Sequence, residues 1–161
     1  MRRALENIPC AVVTISDSRT EETDGSGRLI IESLVEAEHE VPEYRIIPDS
    51  IDTIESTMRE LLGREDLKVI IMNGGTGITR RDVTPEAVSP FLEKRLDGFG
   101  ELFRMLSYEE IGSAAIMSRA LAGVSSGKMV ICLPGSRGAV NLAMDKIIIP
   151  QVGHMMLEVE K

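Results

Sequence analysis

Two short loops hold most of the chemistry that this sequence of 161 residues offers. The first is Gly74-Gly75-Thr76-Gly77, followed closely by Arg80, Arg81 and Asp82. Clustered glycines let the backbone approach a ligand closely and adopt positive φ, and the Thr76 hydroxyl adds a donor or acceptor. Arginine binds phosphate oxygens bidentately. An aspartate beside phosphates is a natural anchor for Mg²⁺, which takes one or two carboxylates plus phosphate oxygens. The second loop is Pro134-Gly135-Ser136-Arg137-Gly138, a cradle of the same kind. Two anion cradles suit a nucleotide, or one large phosphorylated ligand. Each feature also has a plainer reading: the glycines as a tight turn, Arg80 and Arg81 as solvated charges with Arg81 paired to Asp82, and Asp82 as a cap near Thr84. Neither a Walker A loop nor a G-x-G-x-x-G fingerprint is present.

The elements around these loops explain how they meet. Pro9–Ser16, Val41–Ile47, Val69–Met72 and Met129–Leu133 are short apolar, β-branched runs that read as buried strands. Helical spacing of Leu29, Ile30, Leu34 and Val35 predicts a helix over 26–38, and another over 52–62 stops at Gly63. Thr84-Pro85-Glu86 signals a helix start, with Thr84 as cap and the helix running to Leu92. A weak strand near Arg95–Leu96 precedes a helix over 100–105 that continues irregularly toward Ile111. Residues 114–124 and 128–133 flank a hairpin turn at Ser125-Ser126-Gly127, the first arm starting as strand or helix. Helices over 139–149 and 150–159 close the chain. Alternating strands and helices, with strands apolar on both faces, predict one α/β domain: a sandwich on a mostly parallel, mixed sheet.

Ligands bind such sheets outside the carboxyl ends of the strands, at a switch in strand order. Ser16–Ser26, Pro48–Ser50, Gly74–Asp82 and Pro134–Gly138 each follow a strand directly. Asp49 therefore lies on this edge, although spacing alone favours it as the N-cap of the helix near Asp52.

Composition narrows the function. A formal charge of −8 opposes general nucleic-acid binding, so an anionic ligand must be held in a concentrated pocket. With 3% aromatic residues the core must be aliphatic, and the nine methionines are expected to fill its gaps. Cys10 and Cys132 sit in apolar runs and read as buried free thiols. With His39 and His154 they make no zinc site, and His39 reads as a surface residue. Met1-Arg2-Arg3-Ala4 leads into no signal-peptide core and no run is of membrane-spanning length, so the expected setting is a reducing cytoplasm. No Ser-His-Asp or Cys-His set is evident, which leaves positioning and metal electrostatics as the expected catalysis.

The run Asn73-Gly74-Gly75-Thr76-Gly77…Arg81-Asp82-Val83-Thr84-Pro85-Glu86 resembles the signature of the MoaB/MogA family of molybdenum cofactor biosynthesis proteins. Three further stretches match in order: Ser16–Thr20 with Asp24, Ser26 and Gly27; then Gly98–Arg104; then Leu133–Ser136. The Ser-Asp-Ser-Arg stretch and the run from Gly98 to Gly112 are more similar to MoaB than to MogA. The resemblance implies a three-layer α/β/α sandwich of the molybdopterin-binding-domain type. It implies adenylylation of molybdopterin by ATP with Mg²⁺, releasing pyrophosphate, and hand-over to a MoeA-type insertase that places molybdate or tungstate. It carries Asp49 and Asp82 over as catalytic residues, with Asp82 toward Mg²⁺, and so displaces the cap reading of Asp49. Gly74, Gly75, Thr76, Gly77, Arg81, Glu101, Pro134, Gly135 and Ser136 become expected substrate contacts. It also implies a homo-oligomer, trimer or hexamer. Two other readings stay open: a non-catalytic pterin-binding module, and a phosphohydrolase-like relative of the domains fused in competence-damage proteins. Where the family commonly has Pro-Gly-Ser-Pro-Gly, this chain has Arg137 for the second proline, which removes a φ restraint and adds a guanidinium.

Overall fold

The computed structural model describes residues 5–161; Met1-Arg2-Arg3-Ala4, read above for targeting, lie outside the described residues. The strands are β1 (Pro9–Ile15), β2 (Glu40–Ile47), β3 (Val69–Asn73), β4 (Lys94–Arg95), β5 (Leu121–Ser125) and β6 (Lys128–Leu133). The helices are α1 (Gly25–Glu36), α2 (Ile51–Leu62), α3 (Thr84–Val88), α4 (Asp97–Ile111), α5 (Arg137–Ala143) and α6 (Ile149–Val159). One sheet has the order β2-β1-β3-β6-β5-β4. β1, β2, β3 and β6 pair in parallel, while β5 runs antiparallel to both β4 and β6. The turn between β5 and β6 is Ser126-Gly127, both at positive φ, with Ser125 and Lys128 paired across it. This is the dihedral pattern that suits a two-residue hairpin.

Alternation along the strands builds two cores. Cys10, Val12, Val69 and Ile71 face one way, against Ile30 and Leu34 of α1, Phe99 and Phe103 of α4, Val140 of α5 and Val152 of α6. Ala11, Val13, Ile70 and Met72 face the other, against Ile54, Met58 and Leu61 of α2 and Ala87 and Val88 of α3. The result is the expected three-layer α/β/α sandwich. Among the described residues no helix is long and apolar enough to cross a membrane. Cys10 and Cys132 are buried free thiols, each pushed up to about 12 by burial. His39 is not a plain surface residue: its Nδ1 accepts from the Ile8 amide at 3.2 Å, and partial burial lowers its pKa.

Several local expectations are corrected. Thr84 does not cap α3; Val83 holds that position, with no side-chain bond, and the Thr84 hydroxyl instead donates to the Gly74 carbonyl at 2.9 Å. The helix expected to reach Leu92 tightens to 3₁₀ geometry over Ser89–Phe91, where Pro90 removes a helical donor. α4 is regular through all of Asp97–Ile111, and a 3₁₀ stretch over Gly112–Met117 follows it. The two final helices are joined by a π-helical turn, Met144–Ile148, just ahead of Pro150. A proline ring crowds the carbonyl four residues back, and the wider turn accommodates it. Met58, Met72, Met129, Met144 and Met156 fill the core as expected, but Met105 and Met117 are exposed.

Candidate functional site

Strand order fixes where the site lies. From β1 the chain crosses to β2 on one side, then back past β1 to β3 on the other, so the switch point is between β1 and β3. The loops after β1, β2, β3 and β6 all emerge there.

The first cradle begins where Asn73 ends β3. The Gly74 amide still donates to the Leu133 carbonyl at 2.9 Å, continuing the ladder to β6. Gly74 then turns at φ 107°, so close to β1 that a Cβ on it would stand 2.2 Å from the Ile15 carbonyl oxygen. Gly75 follows at φ 70°. No side chain fits at Gly74, and acidic groups stand against two of the glycines that follow it. Asp49 Oδ1 lies 3.1 Å from where a Gly75 Cβ would be, and Asp82 Oδ2 lies 2.7 Å from the same point on Gly77. Both expected carboxylates thus lie against the glycine loop.

Asp82 is neither a helix cap nor the partner of Arg81. Its Oδ2 accepts from the Thr79 amide at 2.9 Å and the Thr79 hydroxyl at 2.7 Å, closing the loop on itself. Arg81, 78% exposed, reaches instead to Asp17 Oδ2 at 3.4 Å. Asp17 Oδ1 accepts from the Asp49 amide at 3.0 Å. Asp17 therefore joins the loops after β1, β2 and β3. Asp49 is not the cap of α2 either: Ser50 is, its hydroxyl accepting from the Thr53 amide. Burial raises the Asp49 pKa first, then the charges of Asp17 and Asp82; Arg81 opposes them.

The second cradle is laced to the β1 loop. The Gly135 carbonyl accepts from the Ser26 hydroxyl at 2.6 Å and from Arg19 Nη2 at 2.8 Å. Ser136 caps α5, accepting from the Ala139 amide at 3.3 Å. A Cβ on Gly135 would come 3.3 Å from Gly74 Cα, so the two glycine loops touch. The Arg137 guanidinium lies flat over Gly25, at the start of α1.

Beneath both cradles runs a buried polar chain. Asn73 Nδ2 donates to Thr14 Oγ1 at 2.9 Å, and Thr14 donates to Asp24 Oδ2 at 2.6 Å. Tyr44 donates to the same oxygen at 2.5 Å, while Asp24 Oδ1 caps α1 through the Gly27 amide at 2.9 Å. Asp24 is fully buried, and Asn73 Oδ1 is the buried side-chain atom without a partner among the described residues.

Of the expected contacts, Gly74, Gly75, Thr76, Gly77, Asp49, Asp82, Arg81, Pro134, Gly135 and Ser136 belong to loops that converge on this edge. Glu101 does not join them: it is exposed on α4, and among the described residues no hydrogen bond or ion pair connects it to either cradle. No group of three or more His, Cys, Asp or Glu residues forms a ready-made metal cage among the described residues. Mg²⁺ is commonly held by one or two carboxylates together with its substrate's phosphates. Asp49 and Asp82 are the carboxylates of this edge that could hold such an ion.

Fold and site define an α/β/α protein with paired glycine cradles and acidic groups at a sheet switch point. A family model described as a probable molybdopterin binding domain matches residues 11–154. Molybdenum cofactor biosynthesis protein B of Bacillus cereus is 51% identical, over 99% of this chain and 95% of its own length. The Bacillus subtilis protein of the same name is 50% identical over the same shares. A crystal structure of a molybdenum cofactor biosynthesis protein B superposes with a TM-score of 0.94 at 51% identity, covering 99% of both chains. The tungsten cofactor synthesizing protein MoaB from Pyrococcus furiosus gives 0.88 at 37% identity, over 98% of this chain and 100% of that one. The chain belongs to the MoaB/MogA family of molybdenum cofactor biosynthesis proteins.

Proposed function

We propose that the protein adenylylates molybdopterin. The observation that carries this is the convergence of the two touching glycine cradles with Asp49 and Asp82 against the first of them. In the proposed reaction a phosphate oxygen of the pterin attacks the α-phosphorus of ATP. A new P–O–P link forms, the α–β bridge breaks and pyrophosphate leaves. Bound Mg²⁺ would supply charge neutralisation to the phosphates, with Asp82 and Asp49 as the residues to hold it. The chain's own contribution is positioning. Backbone amides of Gly75–Gly77 and of Gly135 and Ser136 would orient the anionic groups, Gly74 and Pro134 serving by loop shape because one amide is bound to Leu133 and the other is absent. Arg81, which reaches toward Asp17, would balance charge at the rim. The product would pass to a MoeA-type insertase.

The decisive assay is pyrophosphate release from Mg-ATP with intact metal-free molybdopterin. Release that depends on the pterin supports the reading. Pterin binding with no release selects the non-catalytic module, and nucleotide hydrolysis without pterin selects the phosphohydrolase-like relative. Asp82→Asn is expected to lower turnover by roughly 10²–10³-fold, the scale of losing one positioned electrostatic group; unchanged turnover would remove Asp82 from the chemistry. Self-association belongs to the same proposal. Met105, Tyr108, Ile111, Ile116 and Met117 expose apolar surface along α4 and the turn after it. Light scattering should give a multiple of the 17.7 kDa chain mass, and a monomer would refute it.

A further inference from the structure

We infer that Arg119 is a positioning residue for Asp82, acting as a clamp across both ends of the glycine loop. Arg119 lies between the 3₁₀ turn and β5. Because β5 is antiparallel, its start reaches the same sheet edge where β3 and β6 end. From there it bonds the loop three times. Its backbone amide donates to the Thr76 carbonyl at 2.9 Å, its Nε to the Gly77 carbonyl at 2.9 Å, and its Nη2 to the Asp82 carbonyl at 3.0 Å. The remaining guanidinium face is held by Glu86 of α3, Nη1 to Oε2 at 2.5 Å and Nη2 to Oε1 at 3.0 Å.

These bonds join the entry of the loop (Thr76, Gly77) to its exit (Asp82). The span between them contains Ile78, Thr79, Arg80 and Arg81, of which all are exposed. Inside the span, the Asp82 carboxylate bonds only to Thr79, which moves with it. The internal turn gives the loop its shape; Arg119 ties that shape to the sheet. A planar fork with five donors suits two carbonyls and a carboxylate at once, which a lysine ammonium does not match. Glu86 orients the fork and, among the described residues, makes no hydrogen bond to the loop backbone, so its charge is the less critical half of the device.

The inference rests on the proposed reading of Gly74–Asp82 as the ligand loop. Its test has one arm that does not. Amide hydrogen exchange on the ligand-free protein is compared for the wild type, Arg119→Met, Arg119→Lys and Glu86→Gln, alongside kcat and KM for ATP in the pyrophosphate assay. Arg119→Met should speed exchange of the amides from Ile78 to Val83 about tenfold while β3 and β6 amides keep their rates. Its kcat should fall roughly 10–100-fold with KM for ATP within about threefold, because a displacement of about an ångström costs on the order of 10² in rate. Arg119→Lys should fall between, and Glu86→Gln should stay within about threefold of wild type in both readouts. Wild-type exchange in Arg119→Met overturns the inference. So does acceleration spread equally through β3 and β6, which would make Arg119 an ordinary structural residue. If Arg119→Met does not fold, Arg119→Lys is judged by the same criteria. Should the wild type transfer no adenylyl group, the proposed reaction fails, and the exchange arm alone decides the clamp.

Discussion

The two glycine cradles differ in what holds them and in the charge they present. The first, Gly74–Asp82, is fastened by its own side chains and by Arg119, and it gathers Asp17, Asp49 and Asp82 around glycines too crowded for a Cβ. The second, Pro134–Gly138, hangs from one carbonyl, that of Gly135, which receives both Ser26 and Arg19. Its exposed cation is Arg137, over Gly25; the guanidinium of Arg19 is engaged by the Gly135 carbonyl and stands 3.7 Å from the buried Asp24 carboxylate. Anions cannot be drawn equally to both. On the proposed reading, a phosphate at the acidic cradle would be accompanied by a cation, whereas the second cradle could receive an anion beside Arg137. One ligand spanning the two would then meet a metal-assisted end and an arginine-assisted end.

The largest test of this contrast is Gly74→Ala. An alanine at φ 107° is strained in itself, and its Cβ would stand 2.2 Å from a backbone carbonyl that cannot swing aside. The expected loss of stability is about 3 kcal/mol, or a Tm drop of roughly 6–12 °C in a chain of this size. Gly135→Ala meets only the 3.3 Å contact with Gly74 Cα, at an ordinary φ, so the equivalent change in the second cradle should cost about 1 kcal/mol or less. Equal losses in urea denaturation would break the distinction between a cradle formed by strain and one formed by tethering.

A smaller effect tests the acidic character of the first cradle. Asp49 is raised by burial and by the neighbouring charges of Asp17 and Asp82. A carboxyl raised on folding binds its proton more tightly in the native state. Native protein therefore holds more protons than unfolded protein between the ordinary aspartate value and the raised one, and stability contributed by this group falls as pH rises through that window. Asp49→Asn should flatten that fall and raise Tm slightly at neutral pH, the reverse of the usual mutational outcome. Mg²⁺ with a nucleotide should stabilise the wild type more than the variant. A Tm at neutral pH that drops in Asp49→Asn would mean that the carboxylate is structurally satisfied.

What the sequence made legible follows from how local each signal is. Buried strands, the two glycine loops and the carboxyl-edge rule are short-range patterns, and they place four loops on one edge without further help. Asp49 is different: the edge rule places it beside the site, but a Pro-Asp-Ser before a helix reads as a cap, and the family resemblance is what displaces that reading. The structure shows why the local rule misled, since Ser50 takes the capping position and releases its neighbour. Thr84 misled in the same way, its hydroxyl turning from its own helix to the Gly74 carbonyl. Arg119 and Asp17 were not legible. Their partners lie more than 30 residues away in sequence, and no motif announces a guanidinium that bonds backbone carbonyls. The buried Asn73–Thr14–Asp24–Tyr44 chain is equally non-local, joining three strands and a helix cap.

Arg137 offers the finest test, because it is where this chain departs from the family's usual proline. The side chain is exposed, and its guanidinium rests on Gly25 at the amino end of α1, an end that already carries partial positive charge. A cation gains little stability from that position. Arg137→Ala should consequently leave folding within about 0.5 kcal/mol of wild type. If the second cradle receives an anion directly, the same change should raise KM for the anionic substrate held there about three- to tenfold, with kcat little altered. That is the pattern of an interaction made equally in ground and transition states. The effect should shrink as salt is raised from low to physiological strength, because the guanidinium is open to solvent. Arg137→Pro, which restores the φ restraint but not the charge, separates the two consequences of the replacement. Recovery of the wild-type KM in Arg137→Pro would show that the cradle needs a stiff loop more than a cation, and would erase the electrostatic difference between the two cradles.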